Sequence, residues 1–159
     1  MAGDARRMSE ELAGVGDRCA AFNIRKASRT ITRLYADALA PAGLEPTQFA
    51  LLVACSRQQS VAMGDLAIRL SMDSSALARN VAIMQRRGLL AVASGKDRRV
   101  RNVSISADGT ATLSRALPYW KAAQARLIEQ VGQDRFLVAI ELMKAVTRSG
   151  EALLDHPHP

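Results

Sequence analysis

Nine lysines and arginines fall between Arg57 and Arg101: Arg57, Arg69, Arg79, Arg86, Arg87, Lys96, Arg98, Arg99 and Arg101. Only three acids, Asp65, Asp73 and Asp97, accompany them. Nine minus three leaves +6 of the formal net charge of +7 in this one stretch. Charge concentrated in this way is the footprint of a polyanionic partner, whereas a scattered excess would carry little information. Within the stretch, Ser75, Arg79, Ala82 and Arg86 share one face of a helix, with Ser74 beside them, and Leu77, Val81 and Met84 share the other. A helix that buries one side and offers small, hydroxylated and basic groups on the other fits the major groove of DNA. Arginine pairs bidentately with guanine, serine reaches a base or a phosphate, and Ala78 and Ala82 permit close approach. Arg98 and Arg99, at the tip of a basic turn, suit the minor groove, whose negative potential favours arginine.

Other chemistries find less support. Both histidines, His156 and His158, lie in the C-terminal tail, so no general base stands near a nucleophile. The chain has no metal-ligand spacing, no H-E-x-x-H and no glycine loop to cradle phosphate. The expectation is a chain with no catalytic residues, no metal and no cofactor, hence no enzyme. Two cysteines, Cys19 and Cys55, cannot build a disulfide framework. No apolar run suggests a signal peptide or a membrane span, so the reading is cytoplasmic with no membrane partner. Cys19 stands beside Arg18 near a helix start, and both features lower a thiol pKa, which makes it a redox candidate. Phe22, Arg25, Arg29 and Phe49 could line a ligand pocket, with aromatic walls and a cation for a carboxylate.

These side chains need a scaffold, and 159 residues at 48% hydrophobic can supply one compact domain. Residues 1–15 read as a polar arm. A long helix follows from Arg18 to Leu39, with Ala20, Ile24, Ala27, Ile31, Leu34 and Ala38 as its apolar stripe. Pro41 and Gly43 end it. A second helix spans Pro46 to Ser56 and buries Phe49, Leu52 and Val53, although Glu45 is a poor N-cap by type. A short helix over Met63–Leu70, a break at Ser71–Asp73 and a helix over Ser74–Arg87 closed by Gly88 come next. Two strands, Leu89–Ala93 and Arg99–Ser106, form a hairpin around the basic turn. Ser106 caps another long helix, with Leu113, Leu117, Trp120, Leu127 and Val131 inward and a kink expected at Pro118. The last helix covers Gln133–Leu154. The order describes a mainly α fold with a small β-hairpin wing: a winged helix-turn-helix over 44–106, flanked by helical segments 1–43 and 107–159.

At these residues the chain resembles the MarR-type winged-helix transcriptional regulators. The matching stretches are Leu44-Glu-Pro-Thr-Gln-Phe-Ala-Leu-Leu52, Gly64-Asp-Leu-Ala-Ile-Arg-Leu70 and Met72-Asp-Ser-Ser-Ala-Leu-Ala-Arg-Asn-Val81. Arg87-Gly-Leu-Leu90, Asp97-Arg-Arg99 and Val103-Ser-Ile-Ser-Ala-Asp-Gly109 follow in the same order. Ala62 and Glu45 depart from the Ser/Thr caps often found there. The resemblance implies a homodimer intertwined through its N- and C-terminal helices, reading a pseudo-palindromic operator in double-stranded DNA. It implies that Asp97 structures the wing while Arg98 or Arg99 enters the minor groove. It implies repression relieved by a small aromatic or phenolic effector, or by oxidation of Cys19 in the alternative. A sequence-blind architectural DNA binder is the remaining competitor.

Overall fold

The computed structural model describes residues 2–95, 97 and 100–155. The chain divides into two compact units, Met1–Trp120 and Lys121–Pro159. In the first unit, α1 (Ala2–Arg18) and α2 (Ala20–Leu39) are separated only by Cys19, whose backbone is extended. The polar arm expected over 1–15 is therefore a helix. Met8, Leu12 and Val15 fall on one side of it and remain exposed. The predicted stripe of α2 divides by depth. Ile24 is 47% exposed, Ile31, Leu34 and Ala38 are half-buried, and the residue of α2 that joins the core is Leu39, outside that stripe.

Ala40–Ala42 forms a single 3-10 turn, and Gly43 at φ 68° reverses the chain, a conformation glycine adopts without penalty. Helix α3 (Pro46–Ser56) buries Phe49, Leu51, Leu52, Ala54 and Cys55. Its start is better tied than the residue type of Glu45 suggests, because the Gln48 side-chain oxygen accepts from the Glu45 backbone N–H at 3.2 Å. Helices α4 (Met63–Arg69) and α5 (Ser74–Arg86) form the helix-turn-helix. Leu66, Leu77, Val81 and Met84 are fully or almost fully buried beneath them.

Three strands make the antiparallel sheet, in the order β1-β3-β2. They are β1 (Val61–Ala62), β2 (Leu90–Ser94) and β3 (Arg101–Ile105). Val61 and Val92 both pair with Val103, which is fully buried at the centre. The sequence pattern shows the hairpin but not β1, whose two residues carry no periodicity.

Helix α6 (Ala107–Val131) continues through Pro118. Ser106 holds its start from both sides. Its Oγ donates to the Gly88 carbonyl at 2.6 Å and accepts from the Gly109 N–H at 2.9 Å. A Cβ at position 109 would overlap the Leu89 carbonyl oxygen, so only glycine allows this approach. The stripe expected on α6 shifts accordingly. Thr112 and Ala116 are buried, Leu113 and Trp120 pack partly on the core, and Leu117 is exposed. Close backbone approach selects small residues over large ones at the tightest positions. In the second unit, Gly132 at φ 88° separates the end of α6 from α7 (Gln133–Asp155). Among the described residues no single helix is long and apolar enough to cross a membrane.

Candidate nucleic-acid interface

The turn between α4 and α5 places Ser71 at φ 47° and hands the chain to Asp73, the N-cap of α5. Asp73 Oδ1 accepts from the Ala76 backbone N–H at 2.8 Å and from Ser75 Oγ at 2.6 Å. The Ser75 bond, the backbone bonds and the charge of Arg79 hold the Asp73 carboxyl below the usual carboxylate range. The start of α5 is thus fixed by a charged cap, which also complements the helix dipole. Ser75, Arg79 and Arg86 are exposed on the face opposite Leu77, Val81 and Met84, and Ser74, the first residue of α5, is exposed as well. Ser75 spends its proton on Asp73 and keeps only acceptor capacity for a further partner. Asn80 donates to its own helix, at the Ala76 carbonyl, 2.9 Å away.

The wing is closed by main-chain bonds. Gly95 N–H donates to the Val100 carbonyl at 2.7 Å, and Val100 N–H donates to the Asp97 carbonyl at 2.9 Å. Asp97 sits in this turn, while Lys96, Arg98 and Arg99 lie outside the described residues. Arg101, paired with Ser94 at the outer end of the strands, is exposed.

The basic stretch therefore does several jobs. Arg79, Arg86 and Arg101 are exposed on α5 and the wing. Arg87 turns back instead, donating to the Gly43 carbonyl at 2.7 Å and to Gln48 Oε1 at 2.9 Å. Arg57 and Arg69 line a cavity of about 690 Å³, together with Tyr35, Phe49, Leu70 and Trp120. Phe49 and Trp120 stack there, with centroids 6.1 Å apart and planes 18° from parallel. Burial raises the Tyr35 hydroxyl pKa. Arg69 Nη1 donates to the Ala54 carbonyl at 3.4 Å, and neither Arg57 nor Arg69 is ion-paired with a described residue.

Of the four side chains expected to line a pocket, Phe49 is in this cavity. Phe22, Arg25 and Arg29 are exposed on the N-terminal half of α2, which enters the lining only from Ile31 onward. Sequence reasoning misses Arg57 and Arg69, because nothing in their spacing separates a cavity arginine from any other, and it sets Trp120 inward on α6 without linking it or Tyr35 to a cavity. Cys19 is half-buried at the α1–α2 joint. Cys55 is fully buried in α3, where burial pushes its thiol pKa up. Among the described residues no group of three or more His, Cys, Asp or Glu could hold a metal ion.

Residues 42–100, which contain the helix-turn-helix and the hairpin up to the wing tip, match the MarR family. The M. tuberculosis transcriptional regulator MosR, solved in complex with DNA, is 34% identical. It superposes with a TM-score of 0.72 over 83% of this chain and 98% of its own. The chain belongs to the MarR family. It is a DNA-binding transcriptional regulator of that family, with the family's winged-helix fold. Two more distant structures share the fold. A cysteine-to-serine variant of E. coli MarR, complexed with operator DNA, is 20% identical, with a TM-score of 0.74 over 86% of this chain and 95% of its own. Bordetella bronchiseptica BpsR, whose DNA binding is regulated by 6-hydroxynicotinic acid, is 18% identical, with a TM-score of 0.73 over 82% and 95%. No curated protein sequence matches the chain significantly.

Proposed function

We propose that this chain is a dimeric repressor that binds a pseudo-palindromic operator and releases it when an aromatic carboxylate fills the cavity beside α4. Ser74, Ser75, Arg79 and Arg86 meet the major groove. Arg98 and Arg99 meet the minor groove from a wing ordered by Asp97. Uncovered apolar stripes support the dimer: Met8, Leu12 and Val15 on α1, and Val138, Leu142 and Val146 on α7.

The observation that carries the effector reading is the cavity itself. Two guanidinium groups without carboxylate partners among the described residues border a mostly apolar space walled by stacked aromatic rings. That combination suits an aromatic body and an anionic head. Arg69 and Leu70 bring the end of α4 into the wall, so an occupant bears directly on the helix-turn-helix. The regulation of BpsR by 6-hydroxynicotinic acid is the corresponding behaviour in a protein of the same fold.

Calorimetry with salicylate and 6-hydroxynicotinic acid tests this reading. One or both should bind the wild type, and Arg69→Gln should weaken binding about tenfold, the loss of one charge-assisted bond. Phenol binding as well as salicylate would remove the carboxylate from the reading. The oxidant-sensing alternative runs through Cys19, partly accessible at the α1–α2 joint. If peroxide releases the wild type from DNA but not Cys19→Ser, that alternative replaces the effector.

A further inference from the structure

Arg87 occupies the C-cap of α5, directly after a residue of the exposed basic face, yet its side chain is turned away from that face. Its guanidinium reaches the corner between α2 and α3 with both prongs. Nη2 donates to the Gly43 carbonyl at 2.7 Å, and Nη1 donates to Gln48 Oε1 at 2.9 Å. These partners are themselves fixed. Gly43 is held left-handed at φ 68°, with its N–H donating to the Ala40 carbonyl at 2.9 Å. Gln48 Oε1 also accepts the Glu45 N–H at 3.2 Å, which ties the first turn of α3. The guanidinium fork therefore joins the end of α5 to two points on a rigid corner. A planar two-pronged donor fixes direction as well as distance, which a single ammonium cannot do.

The other end of α5 is set by Asp73, and its middle by Leu77, Val81 and Met84. Hydrophobic packing fixes depth and leaves rotation and sliding of a helix comparatively soft, since it is non-directional. We infer that Arg87 is a positioning residue: it sets the angle at which α5 is presented to the major groove, and it contributes to specific DNA recognition without touching DNA. Base readout depends on that angle, whereas phosphate attraction depends mainly on charge. The inference rests on the family's DNA binding alone and stands whether or not the cavity takes an effector.

The test measures affinity for an operator fragment and for random-sequence DNA, across a salt series, for the full-length wild type, Arg87→Lys, Arg87→Ala and Gln48→Leu. Arg87→Lys keeps the charge and loses the fork. It should bind the operator about tenfold more weakly, the order of one lost charge-assisted bond, and bind random DNA as the wild type does. Arg87→Ala should lose at least as much on the operator, with an unchanged slope of log affinity against log salt. Gln48→Leu removes one anchor with no change of charge and should lose up to about tenfold on the operator only, the order of one charge-assisted hydrogen bond. Thermal unfolding of each variant keeps a folding defect separate, and Gln48→Leu and Arg87→Lys keep the test decisive if Arg87→Ala unfolds. An Arg87→Lys protein with wild-type operator affinity overturns the inference. So does a salt slope reduced by about one in Arg87→Ala, which would make Arg87 a phosphate contact.

Discussion

Asp73 is legible from its sequence neighbours alone. An aspartate ahead of Ser-Ser-Ala-Leu reads as an N-cap, and it is one, accepting from Ala76 N–H and Ser75 Oγ. Its carboxyl is held below the usual range in the folded chain. It therefore stabilises α5 above the ordinary aspartate pKa of about 3.9, and that contribution is lost as pH falls through the lowered folded value. Acid titration followed by circular dichroism should show Asp73→Asn losing less helix than the wild type below about pH 4. Arg79, exposed at mid-face on α5, should cost about 1–3 kcal/mol of operator binding when changed to alanine and should relax specificity at one base pair. Binding measured against operators mutated one position at a time checks both effects. Arginine is also where the sequence says least. The same residue type serves as an exposed contact candidate at Arg79, a cavity cation at Arg69 and a strut at Arg87. Composition counts these as equal charges, and only the folded chain sorts them.

At the scale of elements, periodicity locates the helices that bury a large stripe. Helices α3 and α5 lie at or within one residue of the expected limits because Leu52, Leu77, Val81 and Met84 mark their inner faces. The same rule fails where burial is absent or the buried residues are small. Helix α1 leaves Met8, Leu12 and Val15 exposed, and so short a stripe set among polar residues reads as a loose arm. On α6 small residues such as Thr112 and Ala116 are buried near the Gly109 contact with Leu89, whereas a pattern of large apolar residues points to Leu117 instead. Gly109→Ala should force the start of α6 away from Leu89 and Ile105 and cost roughly 1–3 kcal/mol, as overpacking does. Denaturant unfolding measures this, and an unchanged midpoint would mean that the helix start yields freely. The uncovered stripe on α7 makes a further prediction. Leu142→Arg should shift the chain from dimer to monomer in sedimentation velocity, because it buries a charge in an apolar face.

For the whole molecule, net charge points to a polyanion, and the order of helices, turn and hairpin points to a winged helix-turn-helix. Both follow from local pattern, which a sequence displays directly. The cavity is only partly legible, because it is built from α2, α3, α4 and α6 together and its cations come from Arg57 and Arg69. Phe49 alone of the expected lining lies there, and no local pattern links residues brought together from four elements. In the mechanism we propose, a dimer reads DNA through α5 and the wing, and an anionic aromatic ligand beside α4 governs whether it stays bound.

Fluorescence anisotropy of the purified protein tests that mechanism most directly. The probe is a labelled fragment from upstream of its own gene, held with excess scrambled DNA near physiological salt, to which salicylate is then added. The predicted result is specific binding, with a Kd of about 10⁻⁸ M or tighter that survives the scrambled competitor, followed by release as salicylate fills the cavity. Binding that the scrambled DNA abolishes at every upstream fragment, or specific binding that neither salicylate nor 6-hydroxynicotinic acid weakens, would contradict it.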